Sequence, residues 1–106
     1  MAGCLSPFGC QALSLLEADY HVSGVLTPDA TGNFFEAGTH DGEPYYRRDD
    51  NAWFLWWSDF DHEWVISNLL GVYGVDYWNR FDVEIAGDYN PSAHAVGIAT
   101  VASGPE

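Results

Sequence analysis

The chain has 106 residues, with 16 acidic side chains against 3 arginines and no lysine, so its formal charge is −13 with histidine neutral. That length folds around one core and excludes a two-domain enzyme. The charge excludes the phosphate-neutralising contacts of a nucleic-acid partner and the polybasic patch that anionic membranes attract. Aromatic content is high, 5 Trp, 6 Tyr and 6 Phe beside 11 Gly and 5 Pro, which describes short strands joined by tight turns rather than a disordered acidic chain.

Residues 1–20 read differently from the rest. They contain neither Lys nor Arg and no apolar run longer than two residues, so a secretory signal is not expected, and neither is a membrane span. Ser6-Pro7 suits an N-cap followed by the first helical position, and Leu13, Leu16 and Tyr20 fall at helical spacing. A short helix or apolar arm is expected. Its stripe of Phe8, Leu13, Leu15 and Leu16 must pack on its own domain or on a neighbour, because an isolated helix of about ten residues is marginal in water. Cys4 and Cys10 fit no paired zinc or Cys-x-x-Cys pattern and are expected as reduced or buried thiols, with a local disulfide between them as the alternative.

From His21 onward turn signals recur at the spacing of an antiparallel β-sandwich or barrel. Seven short strands are expected, at 22–26, 33–37, 44–48, 52–57, 63–67, 77–81 and 95–102, so the domain division is an arm at 1–20 and an antiparallel β domain at 21–106. Asp41-Gly42 should be a type I′ turn joining the second and third strands, since both central residues of that turn need positive φ. Gly87-Asp88-Tyr89-Asn90-Pro91 reads as another turn.

Period-two alternation assigns faces. At 63–67, Trp64 and Ile66 oppose Val65 and Ser67. At 52–57 both faces are apolar, with Trp53, Leu55 and Trp57 opposed to Phe54 and Trp56. Such a strand is either central in a layered core or covered by another chain. Trp53 and Trp57, with the arm's Phe8, Leu13, Leu15 and Leu16, are therefore the subunit-interface candidates. Rings on a β surface also bind sugar faces, so Trp53, Trp56, Trp57, Tyr45, Tyr46, Trp64 and Trp78 could build a glycan platform, with Tyr45, Tyr46, Trp56 and Trp78 as its leading candidates.

Chemistry-bearing patterns are sparse. His21, His40, His62 and His94 show no metal-ligand spacing, and Asp59-x-Asp61-His62-Glu63 lacks the glycine and distal glutamate of a calcium loop, so it reads as a solvated turn. No Gly-x-Ser-x-Gly, phosphate loop or dinucleotide fingerprint occurs. Neither enzymatic activity nor a cofactor or metal is expected. Arg47, Arg48 and Arg80 are expected to pair with local acids or with an acidic neighbour.

Thr27-Pro28-Asp29-Ala30-Thr31-Gly32-Asn33-Phe34-Phe35-Glu36-Ala37-Gly38-Thr39-His40-Asp41-Gly42-Glu43-Pro44-Tyr45-Tyr46, then Phe54-Leu55-Trp56-Trp57, Trp64-Val65-Ile66-Ser67, Trp78-Asn79-Arg80, Gly87-Asp88-Tyr89-Asn90-Pro91 and Gly97-Ile98-Ala99-Thr100-Val101 together resemble a small aromatic-rich β module of bacteriophage virion-associated and environmental viral proteins. The resemblance spans roughly residues 22–101 and carries no catalytic residues. It implies a virion structural protein, made in the host cytoplasm and docked as a symmetric oligomer on capsid or tail subunits. Size and charge favour a decoration or cement protein on the head exterior. A glycan-binding module or tail or fibre subunit used in host attachment is the alternative.

Overall fold

The computed structural model describes residues 17–72 and 77–106. Eight strands follow in chain order: β1 (Tyr20–Ser23), β2 (Gly32–His40), β3 (Glu43–Arg48), β4 (Phe54–Ser58), β5 (Glu63–Ser67), β6 (Trp78–Arg80), β7 (Gly87–Pro91) and β8 (Ala99–Ser103). Each pairs antiparallel with the next, and β8 pairs back onto β1, so the sheet closes into an up-and-down barrel. Closure gives every strand a partner on both sides, though β2 meets β1 only at Gly32–Phe34 and β3 meets β4 only at Tyr46 and Arg47.

An eight-stranded barrel is just wide enough for side chains to fill, and this one is filled. Phe34, Leu55, Ile66, Trp78 and Tyr89 are fully enclosed, with Val22, Tyr46, Trp53, Trp64 and Val101 packed around them. The expected alternation holds on β5, where Trp64 and Ile66 face this interior. The polar tips of the inner rings are satisfied, as burial requires. Trp78 Nε1 donates to the Gly97 carbonyl at 2.9 Å, and the Tyr89 hydroxyl donates to the Ile85 carbonyl at 2.7 Å.

Both faces of β4 are covered, as its apolar pattern demands. Trp56 lies on the outer face yet is 1% exposed. Its indole N–H donates to Ser67 Oγ at 2.9 Å, the Ser67 hydroxyl donates to the Leu69 carbonyl at 2.7 Å, and the His40 ring packs edge-on at 5.2 Å. Gly71 lies so close to that imidazole that a Cβ there would stand 2.7 Å from it. The segment after β5 is thus one cover of this face.

One end of the barrel is sealed by its loops. Thr27 and Val96 exchange both backbone hydrogen bonds, at 3.1 and 2.9 Å, while Leu26 and Ala30 from the β1–β2 loop plug the core. Arg48 Nη1 donates to the carbonyls of Asp29 and Thr31, both at 2.9 Å, and its guanidinium forks onto the Asp50 carboxylate at 2.9 and 2.7 Å. The opposite end, formed by the Asp41-Gly42 turn, residues 59–62, the loop 81–86 and both chain ends of the barrel, is the mouth.

Several expectations are corrected. The Asp41-Gly42 turn forms as expected, with φ of 53° and 82°. Among the described residues there are eight strands, one more than expected: 87–91 is a strand, because β6 and β8 each offer it a free edge and Tyr89 fills the core between them. Its Pro91 sits at the strand end, where a missing N–H costs least. β1 stops before Gly24, whose φ of 128° turns the chain, and β8 starts at Ala99, the preceding segment contributing only the Val96 bridge. Trp53 precedes β4. Glu63 is no part of a solvated turn, being 4% exposed within β5.

The expected helix and the candidates Phe8, Leu13, Leu15 and Leu16 lie outside the described residues. The described part of the arm belongs to the barrel. Tyr20 opens β1, Ala18 is buried, and Asp19 bonds to the Phe34 carbonyl, the Gly104 N–H and, through its carboxylate, the Glu36 N–H.

Candidate functional site

A cavity of about 270 Å³ opens at the mouth, lined by Glu43, Trp57, Asp59, Trp64 and Val83. Its residues come from four places on the barrel. Glu43 follows the Asp41-Gly42 turn, Trp57 and Asp59 straddle the end of β4, Trp64 is the second residue of β5, and Val83 belongs to the loop between β6 and β7.

Two indoles line it, Trp57 half-buried and Trp64 only 5% exposed. Their ring centroids stand 5.6 Å apart with planes inclined at 64°. Each ring is oriented by its own N–H: Trp64 Nε1 donates to the Val83 carbonyl at 3.1 Å, and Trp57 Nε1 reaches Asp59 Oδ1 at 3.5 Å. With these polar edges engaged within the protein, the cavity is bounded by ring surfaces and carboxylates. His62, in left-handed backbone conformation at the β4–β5 turn, meets Trp57 at 6.5 Å.

The rim is apolar and acidic together. Phe60, Phe81 and Val83 are 77%, 76% and 84% exposed, far more than large apolar side chains need to be. Asp82 and Glu84 alternate with them on the loop 81–86. The cation at this end, Arg80, is held by the carbonyls of Glu84 and Asp88 and the Asp82 carboxylate, at 3.0, 3.4 and 3.5 Å.

Two phenols at the mouth register this field. Burial pushes the Tyr46 hydroxyl up to about 12, with Tyr20, Glu36, Asp19 and Glu43 adding to the rise. Tyr20, edge-on to Tyr46 at 5.0 Å, is raised by burial and then by Glu84 and Asp19. Tyr89, deep in the barrel, is raised by burial. A phenol whose folded-state pKa is raised keeps a proton that the unfolded chain gives up above about pH 10. Stability from these groups is therefore complete below that pH and is lost as pH rises through the raised values. Urea midpoints should be level into mildly alkaline solution, then fall steadily between about pH 10 and about 12, and Tyr46→Phe should flatten part of the fall. A midpoint independent of pH across that window would contradict the placement of these rings.

The sequence-stated candidates separate sharply. Trp57 is half-buried at the cavity, whereas Trp53 is buried in the core, edge-on to Tyr77 at 5.1 Å. Of the glycan-platform residues, Trp57 and Trp64 meet at the cavity, whereas Trp56 and Trp78 are enclosed and Tyr46 is 8% exposed, so none of these last three offers a bare ring face. Tyr45 is half-buried on the outer surface, 6.3 Å from Phe54. The four leading candidates fail as a platform because alternation identifies two faces of a strand without saying which is inside or what covers the other. Trp64, Val83 and Glu43 were not singled out together, since 40 positions separate the first and last of them in the sequence and only closure of the barrel joins them. Arg48 and Arg80 pair with local acids as expected, while Arg47 is exposed and makes no ion pair among the described residues. Also among the described residues, no three His, Cys, Asp or Glu converge as metal ligands, and no helix is long and apolar enough to cross a membrane.

Fold and site together define a class: a closed antiparallel β-barrel with a filled interior and, at one mouth, a cavity lined by two tryptophans. No family model, curated protein or solved structure matches the chain.

Proposed function

We propose that the chain is a non-enzymatic virion structural protein, a capsid decoration or cement subunit that docks its barrel mouth on a neighbouring subunit. The observation that carries the docking surface is the exposure of Phe60, Phe81 and Val83 on the turns of one barrel end, where Val83 also lines the cavity. Burying apolar surface there gives roughly 25 cal/mol per Å² before ordering costs, and repetition by particle symmetry multiplies weak contacts. The filled interior supports a structural rather than a carrier role, because the barrel encloses its own side chains. The resemblance to virion-associated modules supplies the setting, and the charge of −13 keeps such a subunit soluble and repelled from packaged DNA.

The test is incorporation. An epitope-tagged chain should co-purify with particles in fixed stoichiometry, and the double variant Phe81→Ser, Val83→Ser should remain in the soluble fraction while keeping the parent's circular dichroism and melting temperature. A tagged parent that never enters particles would sink the proposal.

A second reading, a glycan-binding module or tail subunit used in host attachment, is favoured by the same two indoles, since inclined rings beside carboxylates suit a sugar face and its hydroxyls. On that reading, a glycan panel should give saturable tryptophan fluorescence changes that Trp57→Ala removes.

A further inference from the structure

We propose that the mouth cavity is a receptor for a single cationic side chain, the guanidinium of arginine or the ammonium of lysine, presented by a basic segment of a partner polypeptide. The inference deepens the docking role and rests on it for the partner's identity as a polypeptide.

Three independent features converge. The principal wall is the ring of half-buried Trp57, backed by Trp64, which is 5% exposed and in edge contact with it; the planes are inclined at 64° and the two N–H groups bond to Asp59 and to the Val83 carbonyl. An indole face attracts a cation through its quadrupole, more strongly than phenol or phenyl. The carboxylates of Glu43 and Asp59, both exposed residues, stand at the same cavity, and a guanidinium bonds to carboxylates in a planar fork. The surrounding field is negative: Asp19, Glu36 and Glu43 all act on Tyr46, Glu84 and Asp19 act on Tyr20, and Arg80 is engaged by three acceptors of its own.

Charge complementarity selects the occupant. Anionic partners are repelled, and a neutral sugar would leave the carboxylates with less than a full counter-charge. The exposed Phe60, Phe81 and Val83 select a polypeptide over a free amine, because they offer apolar cover to an aliphatic stem and its neighbouring residues.

The experiment follows the indole N–H resonances of the full-length ¹⁵N-labelled protein during titration with N-acetylargininamide. Its neutral isostere N-acetylcitrullinamide and the sugar chitotriose are run in parallel. The Trp57 and Trp64 signals should shift saturably with the arginine compound while those of Trp56 and Trp78 stay in place. Binding should weaken with added salt and about tenfold in Asp59→Asn, which carries little risk to folding because Asp59 is exposed. The isostere should bind at least roughly tenfold more weakly, as loss of a charge-assisted contact requires. No saturable shift at those two indoles, or equal shifts from the citrulline compound, would overturn the cation site, and saturable binding of chitotriose alone would assign the cavity to glycan. Cation binding by a chain that never enters particles would leave the site standing and remove only the virion role.

Discussion

Trp78→Ala is expected to lower the stability of the folded chain by about 3–5 kcal/mol, the range for truncating a fully buried aromatic side chain. Trp78 is 0% exposed and sits where β6 joins β5 and β7, opposite Ile66 on one side and Pro91 on the other. Its ring packs 5.9 Å from Trp53 and 6.2 Å from Tyr77. Its N–H also leaves the Gly97 carbonyl without that donor, a further penalty of about 1–3 kcal/mol where the carbonyl stays dry. Since whole domains are stable by only about 5–15 kcal/mol, the variant should be largely unfolded or unfold at much lower urea. Equilibrium denaturation read by circular dichroism checks this. Trp78→Phe separates the two contributions, keeping most of the ring volume and losing the donor, and should fall between parent and alanine variant. A Trp78→Ala protein with parental stability would mean that the barrel interior is not packed as described.

Gly97→Ala is expected to be nearly as damaging for a different reason. Gly97 has a φ of 97°, and a Cβ added there would collide with the Val25 carbonyl oxygen. The obstacle is backbone in the sealed end, where Thr27 and Val96 are bonded together and the Gly97 carbonyl receives the Trp78 indole. Relief therefore requires moving the β1–β2 loop, which also carries the core plug Leu26. Backbone strain and overpacking together should cost roughly 2–5 kcal/mol. Gly42→Ala is the contrast: φ is positive there as well, at 82°, but the site is open, so only the conformational penalty remains. Thermal melts of the two variants should show a clearly larger fall for position 97. Equal falls would mean that φ alone, not the close approach of the two loops, governs these glycines.

The sealed end and the mouth divide the work of the fold. At the sealed end, glycines and Arg48 bring two loops into contact and complete the core. The mouth exposes Phe60, Phe81 and Val83 beside acidic side chains, while the sealed end leaves Val25, Val96 and Ile98 exposed, none of them lining the mouth cavity. Substitutions at Trp78 or Gly97 should act through folding, whereas those at Asp59 or Val83 should leave folding nearly unchanged and act through binding.

What could be read from the chain directly was whatever depends on near neighbours. The Asp41-Gly42 turn follows from the φ values its two residues tolerate, the inward set Trp64 and Ile66 from a period of two, and the doubly covered β4 from apolar residues on both its faces. Strand β7 was missed for the same reason: Gly87, Asp88, Asn90 and Pro91 have turn chemistry locally, and only the waiting edges of β6 and β8 make them a strand. Tertiary structure alone decided that the sheet closes, that Trp56 is roofed by His40 and the segment after β5, and that Glu43, Trp57, Asp59, Trp64 and Val83 share one cavity. Those outcomes depend on contacts between residues far apart along the chain, whose pairing is set by the packing of the whole barrel and leaves no periodic trace in the order of its amino acids.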